Sequence, residues 1–342
     1  MSRLLTHLSP LAPDDSGACG VFYELGGITV ICDAGGCAGN VCGFDEPRWH
    51  EKSAALFSAG LRDMDAILGR DKLLIDKLTS ITEQIPAEFT AIVGTPVPAV
   101  IATDYQALKR MAEKKTGLPC IPVETDGTRG YDFGEMLAYS RIFRTFAVER
   151  FPVRRGKCGV IGATPLNTGL THAAKIIEAV QAQGFSEVVC FGLDSGLDEI
   201  RRASECEKIL VISPSGLKAA EYLQDTFGTP YAVGYPVLPE SVAAQAEALS
   251  GCRVLIVHQQ FAANTLRSRI RECSVTCGTW FMQDRRFACE NDLVFRDEES
   301  FRAAAAEADV IFADPMLRRA VPGFSGIWTD FPHYAVSGSA KW

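Results

Sequence analysis

Short apolar runs alternate with longer amphipathic stretches along almost the whole chain. The runs are GITVICD (27–33), FTAIVGT (89–95), PCIPVE (119–124), CGVIGA (158–163), EVVCFGL (187–193), ILVISP (209–214), RVLIVH (253–258) and VIFADP (310–315), with a strand-like GIWTDF (326–331) near the end. Their apolar character is continuous rather than alternating, which predicts strands buried on both faces, as in parallel sheets. Between them, apolar residues recur at helical spacing over about 69–84, 104–115, 134–148, 169–184, 216–227, 238–249, 260–272 and 297–308. Strand and helix in alternation predict an α/β fold of doubly wound parallel sheets. The units fall into three groups, predicting domains over 1–150, 151–240 and 241–342. PVRRGK (152–157) reads as a linker, and the turn-rich VGYPVLPE closes the second group.

The 342 residues suffice for three domains of ordinary size. Hydrophobic residues at 47% and charged residues at 22% exclude wholesale disorder. A net charge of −8 argues against a nucleic-acid partner, which needs clustered Lys and Arg. No apolar run reaches the length of a membrane span, so no membrane partner is expected. The start MSRLLTHLSPLAPDD lacks the apolar core and cleavage site of a secretory signal, so the expected location is cytoplasmic.

The 12 cysteines change the picture. No C-x-x-C pair occurs, which disfavours a zinc ribbon or a thioredoxin-like site, and disulfides are rare in a reducing compartment. Cys158, Cys190, Cys206 and Cys252 fall in or beside core elements and read as small buried hydrophobes. Cys19, Cys32, Cys37 and Cys42 instead crowd one glycine-rich stretch, 16–49. There a strand ends at Asp33 and runs into Ala34-Gly35-Gly36-Cys37, the kind of turn in which open α/β sheets place ligands. Cys37 is expected near the start of a helix, where the dipole favours a thiolate. Cys19 is expected in a comparable turn, Ser-Gly-Ala-Cys19-Gly. On spacing alone, iron–sulfur ligation and two packed turns with inert thiols both remain open.

Two further loops follow strands. Gly159-Val-Ile-Gly162-Ala-Thr164-Pro165 leads into a helix, where it reads as a phosphate or cofactor loop or as an ordinary βα turn; it lacks the G-x-G-x-x-G fingerprint. Glu124-Thr-Asp126-Gly127-Thr-Arg129-Gly130 reads equally as a binding loop or a salt-bridged structural one. No H-E-x-x-H, G-x-S-x-G or G-x-x-x-x-G-K-[ST] motif occurs. His333, after GIWTDF, is a site candidate or a packed C-terminal histidine.

These residues together resemble the nitrogenase component 1 oxidoreductase family, which includes nitrogenase α and β subunits, dark-operative protochlorophyllide reductase and the F430 reductive cyclase component. The carriers are the Gly-Ala-Cys19 turn, Cys-Asp-Ala-Gly-Gly-Cys37, Val93-Gly94-Thr95-Pro96 leading to Ala102-Thr-Asp104, Pro122-Val-Glu124 and Gly127-Thr-Arg129-Gly130. The resemblance implies three Rossmann-like doubly wound domains around a central cleft. It implies that Cys19 and Cys37 are metal ligands of a subunit-bridging cluster. The family's third cysteine would fall near Thr95 or Pro96, which cannot replace it. Two thiolates per chain imply a single [4Fe–4S] cluster shared by a homodimer or with a paralogous subunit, with Cys32 and Cys42 in reserve.

Further implications are an ATP-dependent iron protein as electron donor and a small-molecule or cofactor substrate in the cleft. Asp33, Glu124, Asp126 and His333 would be its proton donors. Gly36, Arg129, Gly162 and Thr164 would bind the cofactor or substrate. Where nitrogenase anchors its cofactor by cysteine, this chain has Ile212 and Ser213, so an iron–molybdenum-type group is not expected. The alternative is a non-catalytic scaffold or carrier of an iron–sulfur cluster or tetrapyrrole-type precursor. A cluster-free Rossmann-like sensor is a third reading.

Overall fold

The computed structural model describes residues 5–69 and 71–339. Within them, thirteen strands form three sheets, and every strand pairing is parallel. The first holds β1 (Ile28–Ile31), β2 (Ala55–Ser58), β3 (Thr90–Val93) and β4 (Cys120–Val123) in the order β2-β1-β3-β4. The second holds β5 (Arg154–Ile161), β6 (Glu187–Cys190), β7 (Cys206–Val211) and β8 (Tyr231–Val233) in the order β6-β5-β7-β8. The third holds β9 (Ser250–Val257), β10 (Glu272–Thr279), β11 (Leu293–Val294), β12 (Val310–Ala313) and β13 (Ile327–Asp330) in the order β11-β10-β9-β12-β13.

The fold is therefore the expected α/β class with doubly wound parallel sheets. Strand order reverses between β1 and β3, between β5 and β7, and between β9 and β12. The loops at such switch points splay apart and leave room outside the carboxyl ends of the strands.

Several elements differ from the sequence expectation. Cys19 lies not in a turn but inside helix α1 (Asp14–Phe22), all nine residues of which are buried. Two glycines and no clear apolar stripe hide this helix from periodicity. It forms because α1 packs closely on the helix Tyr131–Phe146. A Cβ added to Gly17 would strike the Tyr131 backbone, and one on Gly134 would strike that of Asp14. The amphipathic stretch 260–272 is helical only over Gln260–Arg267, and its last residue opens β10. β10 escapes the pattern because ECSVTCGT mixes polar residues into a half-buried strand.

The first two sheets are pinned together by Arg48, which has no exposed surface. It uses all five N–H donors, on Glu46 Oε1 and Oε2, Glu24 Oε1, the Gly20 carbonyl of α1 and the Gly192 carbonyl after β6. Arg48→Ala would leave buried carboxylates and carbonyls unpaired. The expected loss is about 3–5 kcal/mol of unfolding free energy, read by urea denaturation. A loss below about 1 kcal/mol, the value of an exposed pair, would show that Arg48 is not this pin.

Candidate functional site

The first switch point carries the cysteines. β1 ends into Asp33, and Gly35, at φ 113, turns the chain into the short helix α2 (Gly36–Asn40). The side chain of Asp33 fixes this turn: Oδ2 accepts from the Ala38 N–H at 2.8 Å and Oδ1 from the Ser58 hydroxyl at 2.5 Å. Cys37 is thus the second residue of α2, near a helix start as expected. Thr95, at the end of β3, interacts with the Cys37 thiol through its side chain and donates to the Cys32 carbonyl at 2.7 Å. The position where a third cysteine was sought is therefore beside Cys37, with a hydroxyl in place of sulfur.

α1 supplies Cys19 and, one turn earlier, Asp15. The Asp15 carboxylate interacts with the Cys37 thiol, while its Oδ1, though buried, has no hydrogen-bond partner. Cys19 and Cys37 belong to one packed cluster, and Cys42, in the π-turn Val41–Asp45, is half-buried nearby. Cys32 is buried at the end of β1.

The electrostatics oppose free thiolates. Burial, then Asp15 and Glu46, push the Cys19 thiol well up; burial, then Asp15 and Asp33, push Cys37 up to about 11. The expected dipole-stabilised thiolate at Cys37 is thus overridden by desolvation and neighbouring carboxylates. Burial, then Asp14, raises Asp15 to about 6.

This donor set fits half an iron–sulfur centre. It offers two soft sulfurs in one packed cluster, and a cubane takes four. The face around Cys37 is open. A Cβ added to Gly35, Gly36 or Gly39 would meet no atom within 4 Å. Within the chain itself, no group of three or more His, Cys, Asp or Glu is arranged to hold a metal ion among the described residues.

The second and third switch points meet in a buried polar network. Glu135, on the helix Tyr131–Phe146, accepts from the Thr164 hydroxyl, the Asn167 amide at 2.7 Å and the Ser215 hydroxyl at 2.7 Å. The Tyr131 hydroxyl donates to Asn167 Oδ1 at 2.7 Å and lies 2.9 Å from His333 Nε2. The His333 ring stacks on His258 at 4.3 Å, and the His333 backbone N–H donates to Asp314 Oδ2 after β12. The His258 Nδ1 accepts from the Gln259 N–H, so its Nε2 donates to the Pro332 carbonyl. Burial raises Glu135 to about 8 and Asp132 to about 7. It also lowers His258 to about 4 and His333 well below its ordinary value.

The remaining candidates divide. Glu124 is exposed and pairs with Arg141 at 3.0 Å. Asp126 accepts from the Thr128 N–H and hydroxyl, which lower its pKa. Arg129 is exposed and lies over the Phe133 ring at 4.0 Å. Gly162 and Thr164 are buried against Ser213 and Glu135, so these groups do not line one open pocket with Arg129. Ser213 caps the turn that presents Ser215 to Glu135. Sequence reasoning missed Asp15, Arg48, Tyr131 and Glu135. The i, i+4 spacing of Asp15 and Cys19 is a helical signal, but only once α1 is known to be a helix.

Comparison with known proteins gives one family match. Residues 17–272 match the model described as nitrogenase component 1 type oxidoreductase. Among solved structures, the chain is similar to nitrogenase Cp1 at pH 6.5 and at pH 5, each at 12% identity with a TM-score of 0.71. The alignments cover 98% of this chain and 86% and 85% of those chains. At that identity the likeness concerns the fold.

The buried network makes a pH prediction. Glu135 is raised from 4.5 to about 8, so the fold favours its protonated form; that contribution is complete below 4.5 and lost as pH rises to about 8. His258 is lowered from 6.5 to about 4, so its contribution holds above 6.5 and is lost as pH falls to about 4. Between pH 6.5 and 8 the histidine is silent. Unfolding free energy should decline there by up to about 1.4 kcal/mol per pH unit per acid. Glu135→Gln should reduce that slope in chemical denaturation. An unchanged slope in this variant would show that Glu135 ionises freely.

Proposed function

Because the chain belongs to the nitrogenase component 1 type oxidoreductase family, we propose that it is a component-1-like reductase subunit using a [4Fe–4S] cluster at a subunit interface. The carrying observation is that buried Cys19 and half-buried Cys37 share one packed cluster, with Asp15 acting on both thiols, Thr95 on Cys37, and open space at the glycines flanking Cys37. Cys19 and Cys37 would hold half of the cluster, and a second copy or a paralogous subunit the other half. When bound, the cluster supplies one-electron transfer. An ATP-dependent iron protein is the electron donor in this reading, since the chain has no nucleotide-binding P-loop of its own.

The surroundings support an interface at this end of the sheet. Phe44, Val97, Val100 and Ile101 are exposed, on the segments following α2 and β3, beyond the carboxyl ends of the two central strands, β1 and β3, the first of which leads to Cys37. Phe44 is 70% and Val100 84% exposed, unusual for side chains of their size. Asp33 acts as a positioning residue, because it fixes the turn that carries Cys37. Glu124 and Asp126 lie on a solvent-accessible loop and are the proton donors we assign to an exchangeable substrate, with Arg129 as its carboxylate partner. His333 and Thr164 serve from the buried side by holding the junction. Ser213 offers no soft ligand, so the substrate region carries no permanently attached metallocluster.

Metal analysis and sedimentation of anaerobically prepared protein test this. About four irons per dimer are expected, the content of one cubane. Cys37→Ser should lose most of that iron, while Cys190→Ser, in the buried second sheet, should keep it. Equal iron in both variants, stoichiometric molybdenum or vanadium, or a monomer with a full cubane would each reject the reading. Substrate-dependent reoxidation of the reduced protein separates a reductase from a carrier.

A further inference from the structure

The third sheet carries two cysteines that the site above does not use. Cys252 on β9 and Cys273 on β10 bring their sulfurs to 3.2 Å. Both are free thiols and partly exposed. Ser250 stands opposite Glu272, and Arg253 opposite Ser274. Between those pairs β9 holds Gly251 and Cys252, whereas β10 holds only Cys273. This is a β-bulge: two residues face one. Gly251 takes φ 64, a conformation that glycine adopts without strain. In an unbulged register Gly251 would face Cys273, and Cys252 would face Ser274. The bulge therefore delivers Cys252 to Cys273. Adjacent strands lie about 4.8 Å apart, within the Cα separation that a disulfide spans.

We propose that Cys252 and Cys273 are a reversible disulfide site, oxidised by exchange with a small-molecule disulfide of the glutathione class. One of the two cysteines, as its thiolate, attacks one sulfur of the external disulfide and expels one thiol. The other then gives its proton to solvent and displaces the second thiol from the mixed disulfide. One S–S bond breaks and one forms. The protein loses two protons and two electrons, and the external disulfide leaves as two thiols. The two sulfurs are in contact and both partly exposed, so whichever attacks first leaves the other in place to close the link.

The site is separate from the chemistry above. The pair lies at the start of β9 and β10, whereas His258 follows the opposite end of β9, about 20 Å away at strand rise. Cys273 also lies just past the stretch that matches the family model. Oxidation thus crosslinks the third sheet without touching Cys19, Cys37 or Glu135.

The test uses the full chain, purified anaerobically and titrated with oxidised glutathione before alkylation, digestion and mass spectrometry. The peptide containing Cys252 should appear linked to that containing Cys273, lighter by two hydrogens than the reduced pair. A dithiol reductant should reverse the link. Cys277→Ser, which removes the other cysteine of the Cys273 peptide, should keep the link, and Cys273→Ser should abolish it. Wild-type mapping decides the matter if either variant fails to fold. Complete alkylation of both cysteines across the titration would overturn the proposal. So would a lasting glutathione adduct on Cys252 without a link, or a link from Cys252 to Cys277.

Discussion

A guanidinium sealed from water cannot shed its charge, so everything around Arg48 must be arranged to receive it. Arg48 keeps its proton under all ordinary conditions, and each N–H left unpaired in the interior would carry a full desolvation cost. Its five bonds reach α1, the turn before β2, and the loop after β6. The first and second sheets therefore meet at one orientation. Gly20, whose carbonyl it holds, follows Cys19 directly, so the same contact fixes where that sulfur sits. Lys52 extends the arrangement outward, bonding Glu24 at 3.0 Å and Asp194 at 2.6 Å.

From that constraint the division of the molecule follows. Each sheet has a switch point, and parallel strands aim their carboxyl-end loops toward it. At the second and third sheets these loops are driven inward against the helix Tyr131–Phe146. Polar groups buried there must pair with one another, and they form the chain from Ser215 through Glu135, Asn167 and Tyr131 to His333. The result is a rigid, nearly neutral junction: burial favours protonated Glu135 and uncharged His258. At the first sheet the loops remain at the surface, around α2. Its glycines have no Cβ to fill the space beside Cys37.

Legibility in the sequence divided along the same line. Continuous apolar runs announced most strands because parallel strands are buried on both faces, and the turn at Gly35 and Cys37 was visible from its glycines. α1 was not, because Gly17 serves close packing against Tyr131 and the opposing Gly134 against Asp14, a tertiary fact that local periodicity does not encode. With α1 unread, the approach of Asp15 to Cys37 was unreadable too. Nothing in the sequence sets Glu135 apart from the solvated acids of other amphipathic helices. Only the approach of Thr164 and Ser215, 29 and 80 residues away, makes it an interior group. Thr95 is the opposite case. The family resemblance implies a third cysteine near Thr95 or Pro96, and the side chain of Thr95 acts on the Cys37 thiol.

The cysteine edge carries an unbalanced charge arrangement that bears on how it would be used. Asp15, Asp33 and Glu46 surround the sulfurs, and their charge together with burial holds the thiols protonated. The guanidinium nearest in sequence is already saturated by its own partners. Such surroundings oppose an anionic thiolate standing alone but suit one bound to a cation, because a metal centre displaces the thiol proton and offsets the neighbouring carboxylates. In the proposed reading, one chain brings only two such sulfurs. Metal capture and association then support each other: a half shell leaves iron coordination incomplete, and the apolar side chains at Phe44 and Val100 leave water only when a second surface covers them. The interior junction needs neither event. It keeps the three sheets in register so that the outer edge, the less self-sufficient part of the molecule, can be completed from outside.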